Sequence, residues 1–156
     1  MKAVTRNLVL QHDLDFYLWT QQTVQALRSG DFSQIELDSL IEEVEDMGNS
    51  QKDALESNLI RVIQHLLKWK YQPEKRSNSW KASITEHSLR LNRAFKKSPS
   101  LRRYFDQVLN ECYDDARLIA SRETGLDLGA FPSQCPFDSE DILDPHYLPE
   151  PHETHG

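Results

Sequence analysis

DALESNLIRVIQHLLKWKY, Asp53–Tyr71, decides the fold. Leu55, Leu59, Ile60, Val62, Ile63, Leu66, Leu67 and Trp69 recur at helical spacing. At ~100° per residue they cover roughly 180° of a helix surface, more than a surface helix needs. The segment therefore predicts a central helix with neighbours on more than one side. The remaining strip carries Arg61, Gln64, His65 and Lys68. Pro73 ends the helix, because a proline pushes the residue before it out of the α region.

The pattern extends both ways. Upstream, Asp38 opens a stripe of Leu37, Leu40, Ile41, Val44 and Met47, with Glu42, Glu43, Glu45 and Asp46 over much of the remainder. Gly48 leaves two readings open: one continuous helix, or a restart at Ser50–Asp53, which resembles a capping box. Further upstream, Asp13 is expected as the N-cap of a helix from about Leu14 to Ser29, stopped by Gly30. Met1–His12 is read as an irregular lead-in. Downstream, Ser77 or Asn78 caps a helix with the stripe Trp80, Ile84, His87, Leu91, Ala94 and Phe95. Ser98 is expected to cap, and Pro99 to begin, a last long helix through Phe105, Cys112 and Ile119, ending before Gly125. Phe131–Pro149 is Pro-rich, with a short helix around Ser139 to Leu143. The expected fold is all-α: an antiparallel bundle of four or five helices with a Pro-rich C-terminal strap. Residues 13–148 read as a single helical domain and residues 149–156 as a loose tail.

Composition agrees. No Gly occurs between Asn49 and Thr124, and five of the seven Pro lie at or after Pro132. That leaves little of the turn chemistry an all-β fold or a phosphate loop requires. Two Cys are too few for a disulfide framework and point to a reducing cytoplasm. No run approaches the ~20 apolar residues of a membrane span, and no secretory signal pattern opens the chain.

The net charge of −7 is distributed in blocks. Residues 31–60 hold nine acidic and one basic side chain, 61–103 twelve basic and two acidic, and 104–156 twelve acidic and two basic. The simplest reading is internal neutralisation, with rim charges pairing across helix seams. The alternative is an anion-binding surface.

Few motifs carry chemistry. Glu42, Glu43, Glu45 and Asp46 with His65 or His87 could form a metal or acid–base cluster, but no Glu-x-x-His pair or zinc-protease signature occurs. His87 sits inside an apolar stripe and needs a hydrogen-bond partner if buried. Cys112 falls in a core stripe and is expected to be inert. Trp69, Tyr71 and Trp80, interleaved with Lys68, Lys70, Lys75, Arg76 and Lys81, could stack bases; packing at helix ends explains them as well.

Six strings in order carry a resemblance. DFYLWT at Asp15–Thr20, LIEEVEDMG at Leu40–Gly48, HLLKW at His65–Trp69, SW…SI at Ser79–Ile84, SPSLR at Ser98–Arg102 and FP…CP at Phe131–Pro136 resemble the bacterial Domain of Unknown Function 29 family. The resemblance covers about residues 13–148. It implies an all-helical fold and no established activity. The positions it singles out are Asp15, Tyr17, Trp19, Glu42, Glu43, Glu45, His65, Trp69, Arg76 and Trp80. His87 stands where another polar residue is expected.

The expectation is a non-catalytic cytoplasmic helical protein that acts through protein–protein contact or self-association, with no cofactor. The candidate functional cluster is Glu42, Glu43, Glu45, His65, Trp69, Arg76 and Trp80. The alternatives are a metal-dependent hydrolase using Glu43, Glu45 and His65, or nucleic-acid binding through residues 61–103.

Overall fold

The computed structural model describes residues 11–153. The chain divides into two compact units, Met1–Asn49 and Ser50–Gly156. Four long helices account for most of it: α2 (Phe16–Ser29), α3 (Leu37–Tyr71), α4 (Asn78–Lys97) and α5 (Leu101–Thr124). Two single-turn helices, α1 (Gln11–Leu14) and α6 (Ser139–Ile142), complete the set, and no strand occurs among the described residues. None of these helices is long and apolar enough to cross a membrane.

In the first unit, Asp15 caps α2: its side chain accepts from the Leu18 amide at 3.0 Å. The expected cap, Asp13, instead lies inside α1, so the helical part of the lead-in begins at Gln11; residues 1–10 are outside the described ones. Gly30 ends α2 at φ 77°, a left-handed conformation that costs glycine nothing. Among the described residues of this unit, only Trp19, Thr23, Ala26 and Ser39 are buried. The stripe on the first half of α3 is not a core: Leu37, Ile41, Val44 and Met47 are 62, 47, 57 and 65% exposed.

α3 runs unbroken through Gly48, which settles the two readings left open at that residue. In the second unit its later residues Leu55, Leu59, Val62, Ile63, Leu66 and Leu67 form the centre of the core. Ile84 and Leu91 of α4 close one side, and Phe105, Val108, Cys112, Tyr113 and Ala116 of α5 another. Short connections at 72–77 and 98–100 turn each helix back on the last. Ser77 caps α4, accepting from the Trp80 amide at 3.2 Å. Ser98 does not cap α5. It is the C-cap of α4, held extended by the following Pro99, and its hydroxyl donates to Gln51 at 3.2 Å. α5 begins two residues later than expected, at Leu101.

The Pro-rich segment is a strap. Phe131, Phe137 and Ile142 are buried in the core. Its carbonyls accept from helix side chains: Pro132 from the Tyr113 hydroxyl, Leu143 from Asn92 at 2.7 Å, Pro145 from Thr85 at 3.1 Å. Residues 149–156 were expected to be loose. The His152 amide nevertheless donates to the Lys70 carbonyl at 3.0 Å, and its ring lies 4.8 Å from Tyr71; residues 154–156 lie outside the described ones.

Gly48→Ala is expected to stabilise the chain by about 0.5–1 kcal/mol, since a helical Gly carries an entropic penalty relative to Ala. Nothing lies within 4 Å of the added Cβ, so no clash offsets the gain. Gly30→Ala and Gly125→Ala, at φ 77° and 74°, shift the other way. Urea unfolding measures all three; a loss of stability in Gly48→Ala would mean that the helix needs a break there.

Candidate functional site

Most of the polar strip of α3 is buried too, Arg61 alone of its four residues being exposed. Gln64, His65 and Lys68 are 2, 8 and 9% exposed. A buried ammonium needs compensation. Glu123 of α5 supplies it, its Oε2 accepting from Lys68 Nζ at 2.8 Å and from Gln64 Nε2 at 2.7 Å. Lys68 Nζ also lies 4.6 Å from the centre of the Trp80 ring on α4. One cation thus joins three helices through a carboxylate and an aromatic face. Burial raises the Glu123 carboxyl, but the hydrogen bonds from Lys68 and Gln64 outweigh it and hold the group below its ordinary value. Among the described residues this is the one Lys or Arg pairing with a carboxylate that bridges helices; Arg90–Glu86 and Arg102–Asp106 are one-turn pairs. The expected pairing of rim charges across seams is therefore nearly absent.

The other candidates in the second unit serve packing. His65 Nδ1 donates to the Arg61 carbonyl at 2.9 Å, since a carbonyl can only accept. Burial lowers the His65 pKa and keeps the ring neutral. Arg76 Nε donates to the Trp69 carbonyl at 2.9 Å, and its guanidinium stacks 4.7 Å above the Trp69 ring. His87 meets the Asn58 side-chain oxygen at 2.9 Å, the hydrogen-bond partner a half-buried histidine needs. Burial raises the Cys112 thiol to about 12, which leaves it protonated and inert.

The acidic candidates belong to the first unit. Glu43 accepts from His12 Nε2 at 2.5 Å, and Asp13 accepts from His12 Nδ1 at 2.9 Å. Two carboxylates on the two ring nitrogens require both to donate, so His12 is an imidazolium. The Glu43 bond, then the Asp13 bond, raise its pKa. Its ring also stands edge-on to Trp19 at 4.8 Å and Phe16 at 5.4 Å. Glu42 and Glu45 are exposed. His65, Trp69, Arg76 and Trp80 thus lie in one unit, where Trp80 pairs with Lys68 and Trp69 with Arg76, while Glu42, Glu43 and Glu45 lie in the other. Among the described residues, no three His, Cys, Asp or Glu side chains come together as metal ligands.

Sequence reasoning missed His12, which fell in the lead-in, and Glu123. Glu123 lies 55 residues from Lys68, and no local pattern marks such a partner. A crevice of about 310 Å³ opens in the second unit, with Leu55 and Leu101 along its floor and Arg93 and Lys97 at its rim. None of His65, Trp69, Arg76 or Trp80 lines it.

A family model described as Domain of unknown function DUF29 matches residues 11–148. No curated protein and no solved structure matches the chain.

Lys68→Met is expected to be close to neutral, because it keeps the buried stem and removes the charge that needs a partner. Glu123→Ala leaves that charge stranded and is expected to cost about 1–2 kcal/mol. That is less than the ~3–5 kcal/mol of a fully buried pair, since Glu123 is partly solvated. Urea unfolding of both variants checks the asymmetry. The two histidines are expected to titrate on opposite sides of 6.5, His12 above and His65 below, as followed by NMR. His65 then contributes stability above 6.5 that is lost as pH falls, and His12 contributes stability below 6.5 that is lost as pH rises through its raised value. Glu43→Gln should move only the His12 titration, downward.

Proposed function

The chain belongs to the DUF29 family, and we propose that it works by protein contact, through the apolar face of its first unit. The observation that carries this reading is where large apolar side chains meet solvent. Among the described residues they concentrate at 14–47, and outside that span only Leu89, Leu118, Ile119 and Leu128 are exposed. On α3, Leu37, Ile41, Val44 and Met47 fall within an arc of about 120° at ~100° per residue. A contiguous apolar stripe of this kind marks an interaction surface. A unit whose buried apolar residues are Trp19 and Ala26 gains stability when another surface covers the rest.

The rival readings have less support. A hydrolase built on Glu43, Glu45 and His65 would need residues that lie in separate units, and Glu43 is already engaged by His12. Base stacking on Trp69 and Trp80 would have to displace Arg76 and Lys68 from those rings.

The double substitution Ile41→Ser with Val44→Ser separates contact from core. Both side chains are exposed, so unfolding free energy is expected to change by no more than about 0.5 kcal/mol per site. Recovery of the native partner by affinity purification from the source cells should be abolished. A loss of several kcal/mol would instead identify the stripe as core, and unchanged recovery would place the contact elsewhere.

A further inference from the structure

We infer that the occupant of this face is an amphipathic helix of another protein whose apolar stripe is flanked by Lys or Arg. This deepens the contact reading and rests on it. The inference comes from the rim of the stripe. Residues 36–49 hold Glu36, Asp38, Glu42, Glu43, Glu45 and Asp46 and no basic side chain. At ~100° per residue, Asp38 and Glu45 border the stripe on the Ile41 side and Glu43 borders it on the Met47 side. Glu43 is neutralised by His12; Glu42, Glu45 and Asp46 have no salt-bridge partner among the described residues. An incoming helix fills the apolar groove with residues at i, i+3, i+4 and i+7, the usual mode of helix-in-groove recognition. The carboxylates on the Ile41 border, Asp38 and Glu45, unpaired among the described residues, then select flanking cations and repel flanking anions.

The same charges argue against the other occupants. A second copy docking the same face would set carboxylates against carboxylates. Nor, among the described residues, does a second copy offer a basic apolar helix elsewhere: the cations of α4 surround a stripe whose Ile84 and Leu91 are already buried. Anionic lipid and nucleic acid are repelled by the rim.

The test uses the full chain and two synthetic peptides of roughly 20 residues. Both carry Leu on one helical face, flanked by Lys in one peptide and by Glu in its twin. Binding is read by fluorescence anisotropy at low and high salt. The Lys peptide is expected to bind, and the Glu twin to bind about a hundredfold more weakly, because several close charge pairs reverse sign. Asp38→Asn with Glu45→Gln should weaken the Lys peptide about tenfold and narrow the gap between the twins. Ile41→Ser with Val44→Ser should abolish binding of the Lys peptide.

Equal binding of the twins would overturn the charge argument while leaving contact through the stripe intact, provided the serine variant still loses it. Absence of binding by either peptide would overturn the helix occupant. Dimerisation by light scattering that the serine variant abolishes would identify a second copy instead. The chain's own first ten residues carry Lys2 and Arg6 among Val4, Leu8, Val9 and Leu10. Peptide binding that appears only in Lys2→Glu with Arg6→Glu would show that this segment fills the face, and would also overturn the proposal.

Discussion

Burial of residues 62–68 of α3 on every face is the constraint on which the second unit depends. Leu55, Leu59, Ile63 and Leu66 need apolar neighbours, which α4, α5 and the strap provide. A stretch covered on every face also buries its polar residues, and an uncompensated ammonium there would be prohibitive. Lys68 therefore ties α3 to α5 through Glu123 and to α4 through Trp80. The arrangement fixes more than charge. It sets the rotation of α3 about its own axis, because Gln64 and Lys68 must both face the one carboxylate that serves them.

The strap follows from the same requirement. Three helices do not enclose a fourth side, and the chain closes it with aromatic and apolar residues from an irregular segment. An irregular segment brings unpaired carbonyls to a buried surface, where each needs a donor. Tyr113, Asn92, Thr85 and Arg117 supply them from the helices beneath. Prolines suit such a segment because they remove amide donors that would otherwise also need partners.

Much of this was legible in the sequence, and the division has a physical basis. Helix periodicity, the Gly30 and Gly125 stops and the Ser77 cap are local, and local patterns record them. The breadth of the apolar arc on Asp53–Tyr71 identified the central helix. Ser98 misled because Ser-Pro is a sound helix start in isolation, whereas here the extended conformation before Pro99 serves the end of α4. Of the candidate residues, Trp80 meets Lys68 and Arg76 meets Trp69, two cation–ring pairs that join residues too far apart in sequence for a local pattern to mark. Glu123 could not be found, because the rotation of α5 against α3 is decided by packing of the whole unit and not by any spacing near either residue.

The exposed stripe on the first half of α3 was the least legible feature. Periodicity measures amphipathicity and says nothing of what lies against the apolar face. The stripe from Leu37 to Met47 and the broader arc from Leu55 to Leu67 share one helical period on one helix, yet one meets solvent and the other is sealed. Their flanks differ. The sealed half carries scattered polar groups that close neighbours satisfy one at a time, as Glu123 does for Lys68 and Tyr104 for Glu56. The exposed half carries a dense row of carboxylates, of which Glu43 alone has an ion-pair partner among the described residues, His12. Charge density beside the apolar residues, as well as their spacing, thus distinguishes the solvent-exposed half of α3 from its buried half.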